Sequence, residues 1–188
     1  MELQNRPDLQ LLAKYAALLP DDAKMIVEIG THLGETALIL ARHSPEHVHV
    51  YTIDTGARWL WERPDIYRQL DDYVNFLQMQ FEGHNIFFML GSSHHKEDEY
   101  VVPWGMGEID LLFIDGDHGY DAVMSDLIRW APMVRAGGYM LLHDYVINED
   151  NIGEYDKVWG AVEDYTYVHK EWEILELGST MLVCRRNQ

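Results

Sequence analysis

Four acidic residues fall where four apolar runs end: Glu28 in MIVEIGTHLG, Asp54 in VYTID, Asp115 in LLFIDGDH and Asp144 in YMLLHD. An open parallel sheet places its ligands beyond the carboxyl ends of its strands, so acids repeated at those ends are expected to face one crevice. Two histidines accompany them: His118 follows Asp115 closely, and His143 immediately precedes Asp144. Carboxylates and imidazoles gathered in one place can hold a cation or move a proton.

The first of these acids opens a glycine loop, Glu28-Ile29-Gly30-Thr31-His32-Leu33-Gly34. Gly30 lets the backbone turn sharply beside a ligand and Gly34 permits close packing, but the spacing is GxxxG rather than the GxGxxG of most dinucleotide binders. Asp54 ends the next apolar run, where a carboxylate can accept both hydroxyls of a ribose. A carboxylate just ahead of the glycines would repel a pyrophosphate and attract an ammonium or sulfonium group. Glu28 therefore favours S-adenosylmethionine over NAD.

At these residues the chain resembles the class I S-adenosylmethionine-dependent methyltransferases. Their first motif is an acid, a spacer and a glycine-rich turn, and their second ends in a ribose-holding acid. The similarity follows element order over residues 24–185 and is most specific in IDLLFIDGDHGYDAVMSDLIRWAPMVRAGGYMLLHDY, residues 109–145. That stretch looks like the small-molecule O-methyltransferases of the macrocin O-methyltransferase and cephalosporin-hydroxylase-like families. His32 departs from the pattern, standing where many methyltransferases have a middle glycine.

The resemblance implies cofactor contacts at Glu28, Gly30, Thr31, His32, Gly34, Asp54 and Asp115, with Ser92 or Ser93 near the adenine. It also implies a divalent metal, because Asp115 and Asp144 match metal ligands of the catechol-type O-methyltransferases. Oxygen donors suit Mg²⁺, for which Mn²⁺ or Ca²⁺ can substitute. Tyr145 stands where that pattern has an asparagine ligand, and His143 is the candidate replacement. His118 occupies the place of the general base. The expected reaction is methyl transfer to a hydroxyl of a small molecule of sugar, polyketide or phenolic type, with Trp59, Trp61 and Tyr145 available to stack on a ring.

Other readings attach to the same residues. Ser92 or Ser93 can be a helix N-cap, and Asp117 or Asp121 can cap the helix that follows. Asp54 alone fits an NAD-dependent oxidoreductase. Asp115, His118 and His143 form a possible two-His-one-carboxylate iron set, which leaves the glycine loop unexplained. A binding protein for S-adenosylmethionine without turnover is a further alternative.

The elements that must position these residues alternate. Apolar spacing predicts helices over 8–19, 34–42, 64–82, 120–131 and 157–166, and strands over 25–30, 48–54, 86–90, 109–114, 139–143, 172–177 and 180–185. Pro64 suits a first helical turn, Gly137-Gly138 reads as a break before the fifth strand, and Gly178-Ser179 reads as a hairpin turn. Segments 55–65 and 145–156 read as irregular roofing over the crevice. The fold class is α/β: a Rossmann-like, doubly wound, mostly parallel seven-stranded sheet with an antiparallel last strand.

The chain of 188 residues is expected to be one methyltransferase domain, with an N-terminal helix in 1–23 and the Rossmann-like core in 24–185. A net charge of −18 speaks against nucleic acid and anionic membrane surfaces as partners. Cys184 is the only cysteine, which excludes an internal disulfide and suits a cytoplasmic setting, as does the lack of a signal-like or ~20-residue apolar run. A short N-terminal segment leaves room for a homo-oligomer whose partner covers the acceptor.

Overall fold

A computed structural model describes residues 5–62, 69–94, 108–145 and 156–188. The order of elements is α1 (Pro7–Ala17), β1 (Met25–Ile29), α2 (Glu35–His43), β2 (His49–Asp54), α3 (Ala57–Glu62), α4 (Leu70–Phe81), β3 (Ile86–Leu90), β4 (Ile109–Ile114), α5 (Tyr120–Trp130), β5 (Val134–Leu142), α6 (Asp156–Val168), β6 (Trp172–Gly178) and β7 (Met181–Arg186). The seven strands form one sheet in the order β3-β2-β1-β4-β5-β7-β6. The first five run parallel, and β7 is antiparallel to both neighbours, β5 and β6. The chain reverses its direction of travel across the sheet between β1 and β4, so the switch point lies at the ends of those two strands.

Alternation along each strand divides the core in two. Ile26, Leu111, Phe113, Leu141 and Val183 pack with α1, α2 and α4 on one face. Met25, Val27, Ile29, Leu112, Ile114, Met140 and Leu142 pack with α5 and α6 on the other. β1 and β4 are buried along their whole length, as central parallel strands covered on both faces must be.

Several elements differ from the sequence expectation. The helix expected over 64–82 begins at Leu70, because Gln69 and Asp72 form a reciprocal capping box that satisfies the orphan amides of a new N-terminus. Pro64 and Ile66 lie outside the described residues. Within 55–65, α3 replaces the expected irregular segment. Of the other irregular stretch, 146–155 lies outside the described residues. Gly137-Gly138 does not precede β5 but lies within it, beside a register shift opposite Ile109 and Leu111. Leu18 and Ile128 sit on the expected apolar stripes yet are exposed, Leu18 because α1 has already ended and Ile128 because α5 buries a narrower face.

Candidate functional site

A cleft of ~710 Å³ opens over the carboxyl ends of β1, β2 and β4, where the strand order reverses. Gly30, His32, Asp54, Ser92, Ser93, Asp115, Asp117 and His118 line it, with Ala57 and Arg58 of α3 and Lys157 of α6 at its rim. Most of the residues singled out in the sequence thus meet in one cavity. Glu28, Thr31, Gly34, His143 and Asp144 are not among its lining residues.

The glycine loop explains part of that division. Gly30 has φ +95° and lies so close to β4 that a Cβ would come 2.1 Å from the Asp115 carbonyl oxygen. Only glycine allows this loop to rest on the next strand end. Gly34, at φ +76°, is the N-cap of α2, and a Cβ there would meet the Phe81 ring at 2.6 Å. Its tight packing is therefore against α4 rather than a strand.

Glu28 departs most from expectation. Strand alternation places it on the same face as Ile26, beneath the loop, with 0% of its surface exposed. The Thr52 hydroxyl donates to its Oε2, so the Thr31 hydroxyl, 2.6 Å from that of Thr52, must donate in turn. Oε1 has no hydrogen-bond partner among the described residues. Burial pushes its pKa up to about 8; Thr36 and Thr52 offset only part of this, and the charges of Asp115 and Asp54 add to it. Sealed beneath the loop and pushed toward its neutral form, Glu28 is not placed to touch a ligand in the cleft directly.

Asp54 stands at the cleft with one oxygen accepting from the His32 amide (2.9 Å) and the other from the Gly56 amide (2.7 Å). A carboxylate has about four acceptor sites, so each oxygen keeps capacity for a ligand hydroxyl. His32 adopts φ +43°, its carbonyl accepts from the Tyr73 hydroxyl at 2.8 Å, and its ring turns toward Glu62 of α3 at 3.6 Å. The Ser92 Oγ accepts from the His94 amide at 3.2 Å, and the residues that follow, 95–107, lie outside the described ones.

Beside the cleft, behind the lining residues Asp115 and His118, acids and imidazoles interleave. His118 Nε2 lies 3.2 Å from Asp144 Oδ2 and 3.9 Å from Asp115 Oδ1. His143 Nδ1 lies 3.4 Å from Asp115 Oδ1 and 3.2 Å from Asp144 Oδ1, while its Nε2 faces Asp8 of α1 at 3.7 Å and the Thr180 hydroxyl at 3.4 Å. Asp144 reaches both imidazoles from a left-handed backbone conformation, φ +54°. The neighbouring Asp115 and Asp144 raise the His118 pKa. Burial alone would lower that of His143, but the same two carboxylates push it up to about 10. Burial works against the charge on Asp115, yet His118 and His143 hold its pKa below the ordinary range.

Asp115, His118 and Asp144 each offer a ligand atom, and these atoms lie within 4.8 Å of one another. His118 rather than His143 is the imidazole of this group. His143 is already engaged from three sides by carboxylates. Tyr145 is buried in the α5–α6 face with its hydroxyl donating to Glu163, so it is neither a ligand nor a stacking surface in the cleft. Trp61 is exposed and does not line the cleft. The side chain of Trp59 lies outside the described residues.

The sequence sets His94 close to Ser92 and Ser93, near the expected adenine, without a role of its own, and gives no role to Asp8 or Asp126. His94 lines the cleft and its Nε2 meets Asp126 Oδ2 at 3.2 Å. Helical spacing carries the signal: Asp126 lies on the same stripe as Val123, Leu127 and Trp130, all buried. No comparable signal exists for Asp8, whose distance from His143 along the chain is bridged only by the tertiary fold.

Comparison with known proteins follows this geometry. A family described as a methyltransferase domain matches residues 27–145. Among solved structures, the O-methyltransferase TomG from Streptomyces achromogenes, involved in tomaymycin synthesis and solved in complex with S-adenosylmethionine, superposes with a TM-score of 0.70 at 18% identity, over 96% of this chain and 80% of that one. An rRNA methylase from Streptococcus thermophilus gives a TM-score of 0.61 at 15% identity, over 100% of both chains. In sequence, a 71-residue stretch is 49% identical to Uncharacterized protein R132 of Acanthamoeba polyphaga mimivirus, spanning 38% of this chain and 32% of that protein.

Proposed function

Because the chain belongs to the methyltransferase-domain family, we propose that it transfers the methyl group of S-adenosylmethionine to a hydroxyl of a small molecule. The observation that carries this reading is the meeting, in one cleft at the sheet's switch point, of Asp54 and of His118 with its carboxylates. Asp54 can hold a ribose, and His118 lines the same cleft and can meet the acceptor. TomG, which binds S-adenosylmethionine and is an O-methyltransferase, supports the choice of cofactor and of oxygen as acceptor atom. A small molecule is favoured over RNA because a chain of net charge −18 repels a phosphate backbone.

The residues divide the work. If the carboxylates of Asp144 and Asp115, 3.2 and 3.9 Å from His118 Nε2, hold the proton on that nitrogen, Nδ1 is the ring's acceptor. It takes the hydroxyl proton as the acceptor oxygen attacks the methyl carbon; the carbon–sulfur bond breaks and its electron pair remains on sulfur as the neutral thioether. Asp115 and Asp144 keep the imidazole oriented and stabilise the cation that forms. Alignment of oxygen, carbon and sulfur by the cleft supplies much of the acceleration.

A second reading rests on the ligand atoms of Asp115, His118 and Asp144. Two carboxylates and an imidazole beside an open cleft fit a divalent ion, and the nitrogen donor suits Mn²⁺ or another transition ion as well as Mg²⁺. Such an ion would supply Lewis acidity that lowers the pKa of a bound hydroxyl. The two readings compete for the same imidazole, because a nitrogen that holds an ion cannot also carry a proton.

Calorimetry with S-adenosylmethionine and S-adenosylhomocysteine, followed by a screen of sugar and phenolic acceptors with product detection by mass spectrometry, tests the proposal. Tight binding of NAD with no response to either sulfur compound would sink it. Turnover that survives exhaustive chelation supports His118 acting without metal, whereas turnover lost and then restored by Mn²⁺ or Mg²⁺ supports the ion.

A further inference from the structure

Asp126 is an uneconomical residue unless it serves the cleft. It sits inside α5 with 0% of its surface exposed, its Oδ1 has no hydrogen-bond partner among the described residues, and the His94 imidazole meets its Oδ2. A buried carboxylate that is incompletely paired destabilises a fold by several kcal/mol as an order of magnitude. Packing would be better served there by an apolar residue, as at Val123, Leu127 and Trp130 on the same stripe. His94, by contrast, faces the cleft beside Ser92 and Ser93, and its backbone amide is held by Ser92.

We infer that Asp126 is a positioning residue that fixes the His94 ring, through Nε2–H, so that Nδ1 reads the edge of a purine base carried by the ligand in the cleft. This rests on the proposed binding of S-adenosylmethionine and assigns a pair of residues to the recognition of its base. The location agrees with the chemistry. Asp54 ends β2, the loop carrying Ser92 to His94 follows the adjacent strand β3, and a nucleoside whose ribose is held at Asp54 can extend its base to that loop. A base reader needs one defined ring nitrogen. A free imidazole offers two tautomers, and a fixed carboxylate on Nε2 removes one of them. Adenine presents a donor amino group beside an acceptor ring nitrogen, and hypoxanthine presents an acceptor oxygen beside a donor N–H. With its proton fixed on Nε2, Nδ1 is an acceptor that bonds the adenine amino group and is mismatched to the hypoxanthine oxygen at the same position.

The test uses the full chain and compares S-adenosylhomocysteine with its inosine counterpart by calorimetry. The wild-type protein is expected to prefer the adenine compound by ~10-fold or more, as loss of one well-placed hydrogen bond predicts. His94→Ala and Asp126→Leu should each bring the two affinities toward parity. The double variant should do no more than either single one, because Asp126 acts only through His94. The ligand-free Asp126→Leu protein should melt at or above the wild-type temperature, since it loses a buried carboxylate. Should that variant fail to fold, Asp126→Asn and nitrogen NMR of the His94 ring replace it: a protonated Nε2 in the wild type and mixed tautomers in the variant are expected. Unchanged base preference in His94→Ala and in the foldable Asp126 variant, or losses that add in the double variant, overturns the inference while leaving the cofactor reading intact. Wild-type protein that binds neither compound overturns both.

Discussion

Two carboxyl groups stand at neighbouring strand ends and behave in opposite ways. Glu28 at the end of β1 is sealed under the glycine loop, has hydroxyls for company, and is pushed toward its neutral form. Asp115 at the end of β4 is partly exposed to the cleft but still partly desolvated, and His118 and His143 hold its pKa below the ordinary range. Burial alone does not decide whether an acid is charged; the partner does. The comparison also separates two kinds of work in one cleft, a loop that shapes and a charged cluster that reacts.

Removing the imidazole from the charged end should produce the largest effect. His118→Ala is expected to lower turnover by ~10²–10⁴-fold, the usual range for loss of a positioned proton acceptor, while S-adenosylhomocysteine affinity changes little. Steady-state kinetics beside calorimetry would show the split. Equal loss of turnover and affinity would mean that the two ends are not separable.

Gly30→Ala attacks the seam between them. Its methyl group would fall 2.1 Å from the Asp115 carbonyl and would require φ +95° of an alanine. Destabilisation of roughly 2–4 kcal/mol is expected by urea unfolding, from backbone strain and overpacking together. Unchanged stability would show that the loop rests less firmly on β4 than its geometry indicates.

Asp54→Ala tests the shaping end itself. It removes the proposed ribose acceptor and also frees the His32 and Gly56 amides. Affinity for S-adenosylmethionine should fall by about 1.5–3 kcal/mol, the range for hydrogen bonds to a charged group, when titrated by calorimetry. Wild-type affinity would place the ribose elsewhere.

How far the sequence foretold this cleft depends on the distance over which each feature is decided. Acids at strand ends were legible because alternation and apolar runs are local, and the parallel order brought Asp54, Asp115 and His118 together as expected. The isolation of Glu28 was legible in principle, since it shares the parity of Ile26 and therefore the inner face of β1. The start of α4 was not, because Pro64 offered a plausible first turn and the capping box of Gln69 with Asp72 won. The six residues of α3 are too few to show a helical period. The clasp of His143 by Asp8 depends on α1 packing against the sheet, which no spacing along the chain reveals.

Glu28→Gln is the gentlest way to sharpen the comparison, and its effect should depend on pH. The folded-state pKa of Glu28 is raised to about 8 from an ordinary 4.5. Below about pH 4.5 both folded and unfolded chains carry the proton, and the stability linked to it is fully present. As pH rises, the unfolded chain releases the proton first and the folded chain holds it, so stability from this group declines until the folded pKa is passed. Glutamine keeps the shape and cannot ionise. The melting temperature of Glu28→Gln relative to wild type should therefore rise between pH 5 and pH 8, by the equivalent of at least about 1 kcal/mol, or roughly 2–4 °C for a chain of this size. The opposite trend is expected of Asp115, whose pKa is depressed: its contribution is present above its unfolded value and fades as pH falls. A difference between Glu28→Gln and wild type that stays flat across that window would mean that Glu28 is ionised in the folded protein, and the contrast between the two strand ends would collapse.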